Sequence, residues 1–546
     1  MGLFNKASIV MTPNGVKAGK VYSVKPSDGD GDFTFSRATV ANKEASNGLI
    51  QETAVNVPRL DYSDGTCPAL LLEPQSTNLI TYPLSFPNNY WAKSKASIEG
   101  DASTATNEVI LNGGFAGSTA NWGFGAGWAY GANNIIATAT SSNLQQNSVV
   151  FNNTKTYKIT IDISGWTSGS ISRLQIGGES VPNTAIDSNG SHVFYHNPTV
   201  NSTQNLYIVV SGFSATIDNI SIKEVQGFVS PDGTSNAYKL VPSVAAGSSY
   251  ISLTASTGLK TNSFFLKKGE LSYVSVGNAA YVVVVDLILG ALSKSSDSIN
   301  NYSIEKHPNG WYRVSIYNKT ASNYQIQLFT GVDSNGVNIT NNGTSGVYIY
   351  GAQLEALPYA TSLMLPAVEG STVTRVADLC TNSGTVNDFN SAEGVLYADI
   401  AALSDDLTLR CISINDGTSG DSVIIRYRTE SNKIQCVVFY GGVLIFSASI
   451  VASSILDYNK VALKYKSGDY SFWSNGVEVS TSSAAAVPTG LNNLSLHNGT
   501  TDPFYGKVRG VQVYKEALTD TELYDLTKPL YSTFDVMTND LQYDTI

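Results

Sequence analysis

Apolar and polar residues alternate along most of the chain. The stretches "KTYKITIDISG" (155–165), "QNLYIVVSG" (204–212), "ATIDNISIKEV" (215–225), "GWYRVSIYN" (310–318) and "GVYIYGAQLEA" (346–356) all have period two and end in Gly, Asn or Ser turns. That period places successive side chains on opposite faces of a strand with one face buried. Helical periodicity is nearly absent. The exception is "TDTELYDLT", where Thr519 and Glu522 have the spacing of a capping box. Many short strands separated by turn residues predict an all-β chain of sandwiches and jelly rolls.

The order of the strands predicts several domains, as does a length of 546 residues. Residues 1–75 hold short strands and loops without an obvious core of their own, and are expected to be an N-terminal attachment region. The stretch "NNYWAKSKASI" reads as continuing only at "SPDGTSNAYKL", about 120 residues later, and 107–226 between them opens and closes like a unit of its own. The expected arrangement is a discontinuous jelly roll, 76–106 plus 227–380, with a second jelly roll, 107–226, inserted in one of its loops. Insertion is tolerated where the ends of a sandwich lie together at an exposed loop. A different β module follows over 381–528, then a polar tail, 529–546.

Composition narrows the class. Charged residues make up 14% of the chain, against about 25% in typical soluble proteins. The polar surface therefore has to be Asn, Ser, Thr, Gly and Tyr, as in extracellular and virion β-proteins. A net charge of −11 without a basic patch excludes a nucleic-acid partner. No apolar run reaches 18 residues, so no helical membrane span is expected. "MGLFNKASIV" has no apolar core followed by a small-residue cleavage site, so no secretion signal is expected, and Lys6 stands where myristoylation after Gly2 needs Ser or Thr. The four cysteines, Cys67, Cys380, Cys411 and Cys436, form no zinc spacing. Cys411 and Cys436, in neighbouring strand-like runs, are read as buried thiols rather than a disulfide.

Three segments carry resemblances. "DFTFSRATVANKEASNGLIQETAVNVPRLDYSDGTCPALLLEPQSTNLI" resembles a segment recurring in structural proteins of tailed bacteriophages, and "SPDGTSNAYKL", "NGWYRVSI" and "GVYIYGAQLEAL" look like the body of the same phage module. "ILNGGF…W…IDNISI" looks like the ends of a carbohydrate-binding jelly roll. "YSFWSNGVEV" with "FYGKVRGVQVYKEALTDTEL" resembles the last strands and closing helix of concanavalin A-like (laminin G-like) domains. Together they imply tandem and nested jelly rolls followed by a concanavalin A-like sandwich. The implied function is that of a virion structural protein, a head or tail appendage or fibre on the particle exterior. It would be made in the host cytoplasm, attached to other virion proteins through its N-terminal region, assembled as a homo-oligomer with a trimer as the usual fibre form, and engaged with host-surface glycans. A capsular polysaccharide depolymerase and a decoration protein without ligand are the alternatives. No enzymatic activity is expected.

A sugar site needs flat aromatic faces and planar amides or carboxylates. Trp122, Phe124, Trp128 and Tyr130 lie in a Gly-rich stretch and either close the sandwich edge or present a ligand surface; Trp166, after "TIDISG", poses the same alternative. Trp311 and Trp473 read as core. No cofactor is required, but the carbohydrate-module resemblance implies structural calcium near Asn112 and Asp218, with backbone carbonyls completing the shell. It does not extend to the comparable Gly351 and Gln353. Asp28, Asp30 and Asp32 read as a tight acidic turn, since Thr39 replaces the closing Glu of a calcium loop. His192 and His196 share a strand face and read as surface. Glu179, Asp187, Glu305 and Glu355 are scattered carboxylates, and no hydrolytic pair follows from their positions.

Overall fold

The computed structural model describes residues 2–153, 155–181, 185–245, 247–255, 258–277, 282–296, 302–318, 324–499 and 501–529. The alternating segments form strands throughout, and the chain divides into two compact units. No helix among the described residues is long and apolar enough to cross a membrane. The tail predicted over 529–546 lies outside the described residues from 530 onward.

The first unit comprises residues 1–76, 361–363 and 374–546. A five-stranded sheet, in the order Val443–Val451, Lys433–Tyr440, Ser422–Tyr427, Arg410–Asn415, Asn493–Ser495, packs against an eight-stranded one. Inward residues of the two sheets, among them Ile412, Ile425 and Val438 on one and Leu396, Leu463 and Val511 on the other, make the core. Cys411 and Cys436 are buried free thiols. Helix Asp520–Thr527 begins with the predicted capping box, both halves of which form between Thr519 and Glu522, and Leu523 and Leu526 cover Trp473.

The N-terminal residues do not stand apart as a separate unit. Ala7–Met11 pairs with Gly506–Tyr514, Ala69–Leu72 extends the same sheet, and Phe33–Ser36 pairs with Leu379–Thr381. Ile9, Met11, Phe33, Leu70 and Leu72 are part of the same core as the C-terminal strands. Apolar strands too few to bury their own faces complete a sandwich begun elsewhere in the chain.

The second unit comprises 77–360 and 364–373. It contains two cores. One gathers Trp91, Phe264, Val274, Val285, Leu328 and Ile349 between a six-stranded and a seven-stranded sheet. The other, drawn wholly from residues 110–222, lies between the faces of a long, bent sheet. Its two principal strands, Thr156–Ile176 and Ser202–Val225, pair along most of their length with four register shifts, which bend them from one face of the roll to the other. Where the chain passes between the two rolls its two crossings lie side by side: Asp101 bridges to Gln226, and Thr106 N donates to Glu224 O at 2.9 Å.

Candidate functional site

The residues expected to bind sugar in the inserted roll divide sharply. Trp122 and Trp128 are buried in its core. The Trp122 indole N–H donates to Asn112 O at 3.0 Å and its ring packs on Phe115; the Trp128 N–H donates to Ser142 O at 2.7 Å and its ring packs on Phe213. With faces covered and N–H groups satisfied, neither presents a surface to a sugar, and the ligand reading of both is corrected to core. Phe124 is half-buried against the same core. Tyr130 is exposed, its hydroxyl accepting from Asn133 N at 3.1 Å. Trp166 is half-buried, with its N–H donating to Gly169 O at 3.0 Å. Phe124 and Tyr130 sit on strands with different partners, Leu144–Phe151 and Ile135–Thr140.

Asn112 and Asp218, the residues expected near calcium, lie in the opening loop and the closing strand of the inserted roll. The Asn112 amide donates to Ser118 O and Ala120 O, at 3.0 and 3.1 Å, while its own backbone carbonyl accepts from Trp122. Ser118 O, Ala120 O and Asn112 O thus each accept a hydrogen bond within this loop. Asp218 occupies the bulge where pairing steps from Asp162↔Asn219 to Ile163↔Ile217. Asn112 and Asp218 supply one amide oxygen and one carboxylate of the six to eight oxygens calcium takes, and the described residues contain no group of three or more His, Cys, Asp or Glu that could hold a metal.

Asp28, Asp30 and Asp32 form a tight turn: Asp28 accepts from Asp30 N, and Asp32 accepts from Ser23 N and pairs with Lys20. Glu179 accepts from Thr199 N, and Glu355 is buried beside Gln353. The two histidines separate. His192 is half-buried, with Nε2 3.0 Å from Ser188 O. His196 is fully buried rather than on the surface, 3.8 Å from Glu179, and neither ring nitrogen has a hydrogen-bond partner. Burial, with Lys93 nearby, holds its imidazole down at about 3. Lys93 is half-buried, its ammonium donating to the carbonyls of Pro87, Asn88 and Trp91, and desolvation pushes it down to about 7.

A cleft lies instead on the outer roll, on the outward face of the six-stranded sheet. That sheet runs Ala92–Ser94, Ser249–Ala255, Tyr324–Thr330, Tyr273–Gly277, Val282–Asp286, Ala291–Ser295. Val274, Val276, Val283, Val285 and Leu328 point into the core, so the residues between them point out. Register then builds one cross-strand row: Tyr250 opposite Phe329, Phe329 opposite Ser275, Ser275 opposite Val284, Val284 opposite Lys294. Strands lie about 4.8 Å apart, so Phe329 and Lys294 bracket roughly 14 Å. The Tyr250 and Phe329 rings are 5.1 Å apart, and both are half-buried.

Residues 331–338 wall this row into a cavity of about 290 Å³, with Ser248, Ser296, Asn335 and Asn338 around it. The wall is fastened to the edge strand by Ser293 Oγ donating to Ser334 O and Lys294 Nζ donating to Asn335 O, at 2.8 and 3.1 Å. Asp333 closes the turn by accepting from Asn335 N and Val337 N. Gly336 has φ +75° and a side-chain carbon there would lie 3.0 Å from Val284, so the wall approaches the sheet this closely only with glycine. At the centre Ser275 is 3% exposed and its hydroxyl has no hydrogen-bond partner. Such a group is costly unless something pairs with it.

Nothing in the local sequence marks this site. "SYVSVG" and "AYVVVVDL" read as strands, but which Ser or Val faces which aromatic is decided by pairing across 275, 284 and 329. The alternation alone places Ser275 outward; it does not supply a neighbour.

No family model matches the chain, and no curated protein matches it. Among solved structures it is similar to the CBM40 module of the Ruminococcus gnavus IT-sialidase bound to α2,3 sialyllactose, at 22% identity, covering 26% of this chain and 84% of that one, with a TM-score of 0.23. It is also similar to domain 4 of AbnA, a GH43 extracellular arabinanase from Geobacillus stearothermophilus, in complex with arabinotriose (10% identity, 31% and 82% covered, TM-score 0.24). A third is the Trypanosoma rangeli sialidase in complex with sialic acid (9%, 93% and 98%, TM-score 0.21). Scores of this size leave the reading of the cleft to its own residues.

Proposed function

We propose that the chain binds a glycan in the cleft of the outer roll, and that it does so as a structural component of a tailed-bacteriophage virion displayed on the particle exterior. The row Tyr250–Phe329–Ser275–Val284–Lys294 carries the binding part. It combines what a sugar requires: aromatic surface at one end, an unpaired hydroxyl in the middle, a cation at the other end, and amide side chains along the wall. Asp and Glu are absent from the cavity's described lining, which supports retention of a glycan over its hydrolysis. The virion part rests on the resemblance of the segment from Asp32 to Ile80 and of the outer-roll motifs to phage structural proteins. A single shallow site of this kind binds weakly, so a homo-oligomer, a trimer in a fibre, would supply avidity.

The test is binding of the full-length protein to an array of bacterial surface saccharides, beside Phe329→Ala. A glycan held by the native protein and lost in the variant supports the reading; equal binding by both moves the site elsewhere. Antibody raised against the chain should label intact particles by electron microscopy, and label confined to lysate debris would remove the virion assignment.

A further inference from the structure

Resting on the reading of this cleft as a glycan site, we infer that its ligand is an anionic saccharide, held by Lys294. Lys294 is the one charged residue of the described lining and stands at the end of the row opposite Phe329. Its ammonium uses one donor on Asn335 O, and an ammonium has three. No carboxylate of the described residues lies within ion-pairing distance of it.

Two acids of the described residues, on the neighbouring strand and in the wall, are engaged with backbone amides. Asp286, two residues from Val284 on the same outward face, accepts from the amides of Ile288 and Leu289 at 2.7 and 3.1 Å. Asp333 accepts from the amides of Val337 and Asn335, which with weaker help from Lys294 hold its carboxyl below the usual range. Asp333 is half-buried, and its carboxylate is committed to those two amides. Lys294 thus keeps two donors and most of a unit charge beside a cavity whose other polar groups, among the described lining, are neutral.

Charge decides the class of ligand because the rest of the chain repels it. At −11 overall, the protein disfavours a polyanion everywhere that a local cation does not offset. A neutral sugar would offer Lys294 only uncharged hydroxyl acceptors, which bind an ammonium more weakly than an anion does. A carboxylate, phosphate or sulfate on the sugar accepts charge-assisted hydrogen bonds from the free donors, while the ring stacks at the Phe329 end and a hydroxyl pairs with Ser275.

The experiment uses the full-length protein on an array carrying neutral, carboxylated, phosphorylated and sulfated saccharides, with Lys294→Gln, Lys294→Arg and Phe329→Ala beside it. The strongest ligands should be anionic, and the class that binds identifies the anion. Lys294→Gln should weaken them by about tenfold or more, Lys294→Arg should largely retain them, and added salt should weaken them. Lys294 is exposed, and unchanged melting of Lys294→Gln would show that folding is not the cause. Neutral ligands that bind the native protein and Lys294→Gln equally, and are lost in Phe329→Ala, would overturn the inference while leaving the cleft as a glycan site. No glycan held by the native protein would remove both.

Discussion

Arg59 and Asp378, 319 positions apart, form a fully buried ion pair. Arg59 also pairs with Glu73 and donates to Asn42 O and Ser362 Oγ, Arg37 reaches the other oxygen of Asp378 at 3.1 Å, and Arg375 reaches Glu73 at 2.8 Å. Three guanidinium and two carboxylate groups from distant parts of the sequence are thus interlocked inside the first unit. A buried charge is tolerable only with its partner present. Asp378→Asn leaves Arg59 and Arg37 without their shared carboxylate and should destabilise the protein by about 3–5 kcal/mol. Chemical denaturation measures this, and a loss near zero would show that the cluster is dispensable.

The same cluster sets an acid limit. Burial alone would raise the Glu73 carboxyl, but Arg375 and Arg59 outweigh it and hold it at about 2, against an ordinary 4.5. Its contribution is present above 4.5 and lost as pH falls through 2, because the unfolded chain takes up the proton first. Glu73→Gln should melt below the native protein at neutral pH, and the gap should narrow between pH 4.5 and 2.

The seam inside the second unit responds in a higher window. His196 is neutral where it is buried, at about 3 against 6.5 when free, and its charged neighbours are Lys93 and Glu179. Stability is full above 6.5 and declines as pH falls toward 3, since only the unfolded chain binds the proton there. Thermal melting of His196→Phe should lack this part of the decline. An unchanged profile would show that another group carries it.

Trp122→Ala and Trp128→Ala each empty a large volume from the inserted roll's core and should cost about 3–5 kcal/mol. Differential scanning calorimetry of the full chain should show this loss in the transition that contains the inserted roll. Cooperative melting unchanged from the native protein would return both indoles to the surface.

Much of the fold is legible in the sequence because it follows from local chemistry. Period-two alternation gives the strands of 155–165 and 215–225, and Thr519 with Glu522 announces the last helix. The N-terminal strands are illegible locally because their partners lie about 340 to 510 residues away; nothing near Ile9 indicates that it lines a sheet with Val513. His196 shows the same limit, since alternation puts it on a face of Gly190–His196 without telling that Lys93 and the outer roll cover that face. The tryptophans of the Gly-rich stretch are conspicuous in the sequence but are core by their size, while the row on the six-stranded sheet is built from ordinary Ser, Val, Phe and Lys residues joined by register.

The cleft itself is tested most directly by calorimetric titration of the best array ligand into native full-length protein, Phe329→Ala, Ser275→Ala and Trp166→Ala. Ser275→Ala should leave stability unchanged or slightly raised, since an unpaired buried hydroxyl disappears, yet weaken binding several-fold, about 1 kcal/mol. Phe329→Ala should abolish binding and Trp166→Ala should retain it. Retention by Phe329→Ala with loss in Trp166→Ala would place the glycan on the inserted roll and contradict the account.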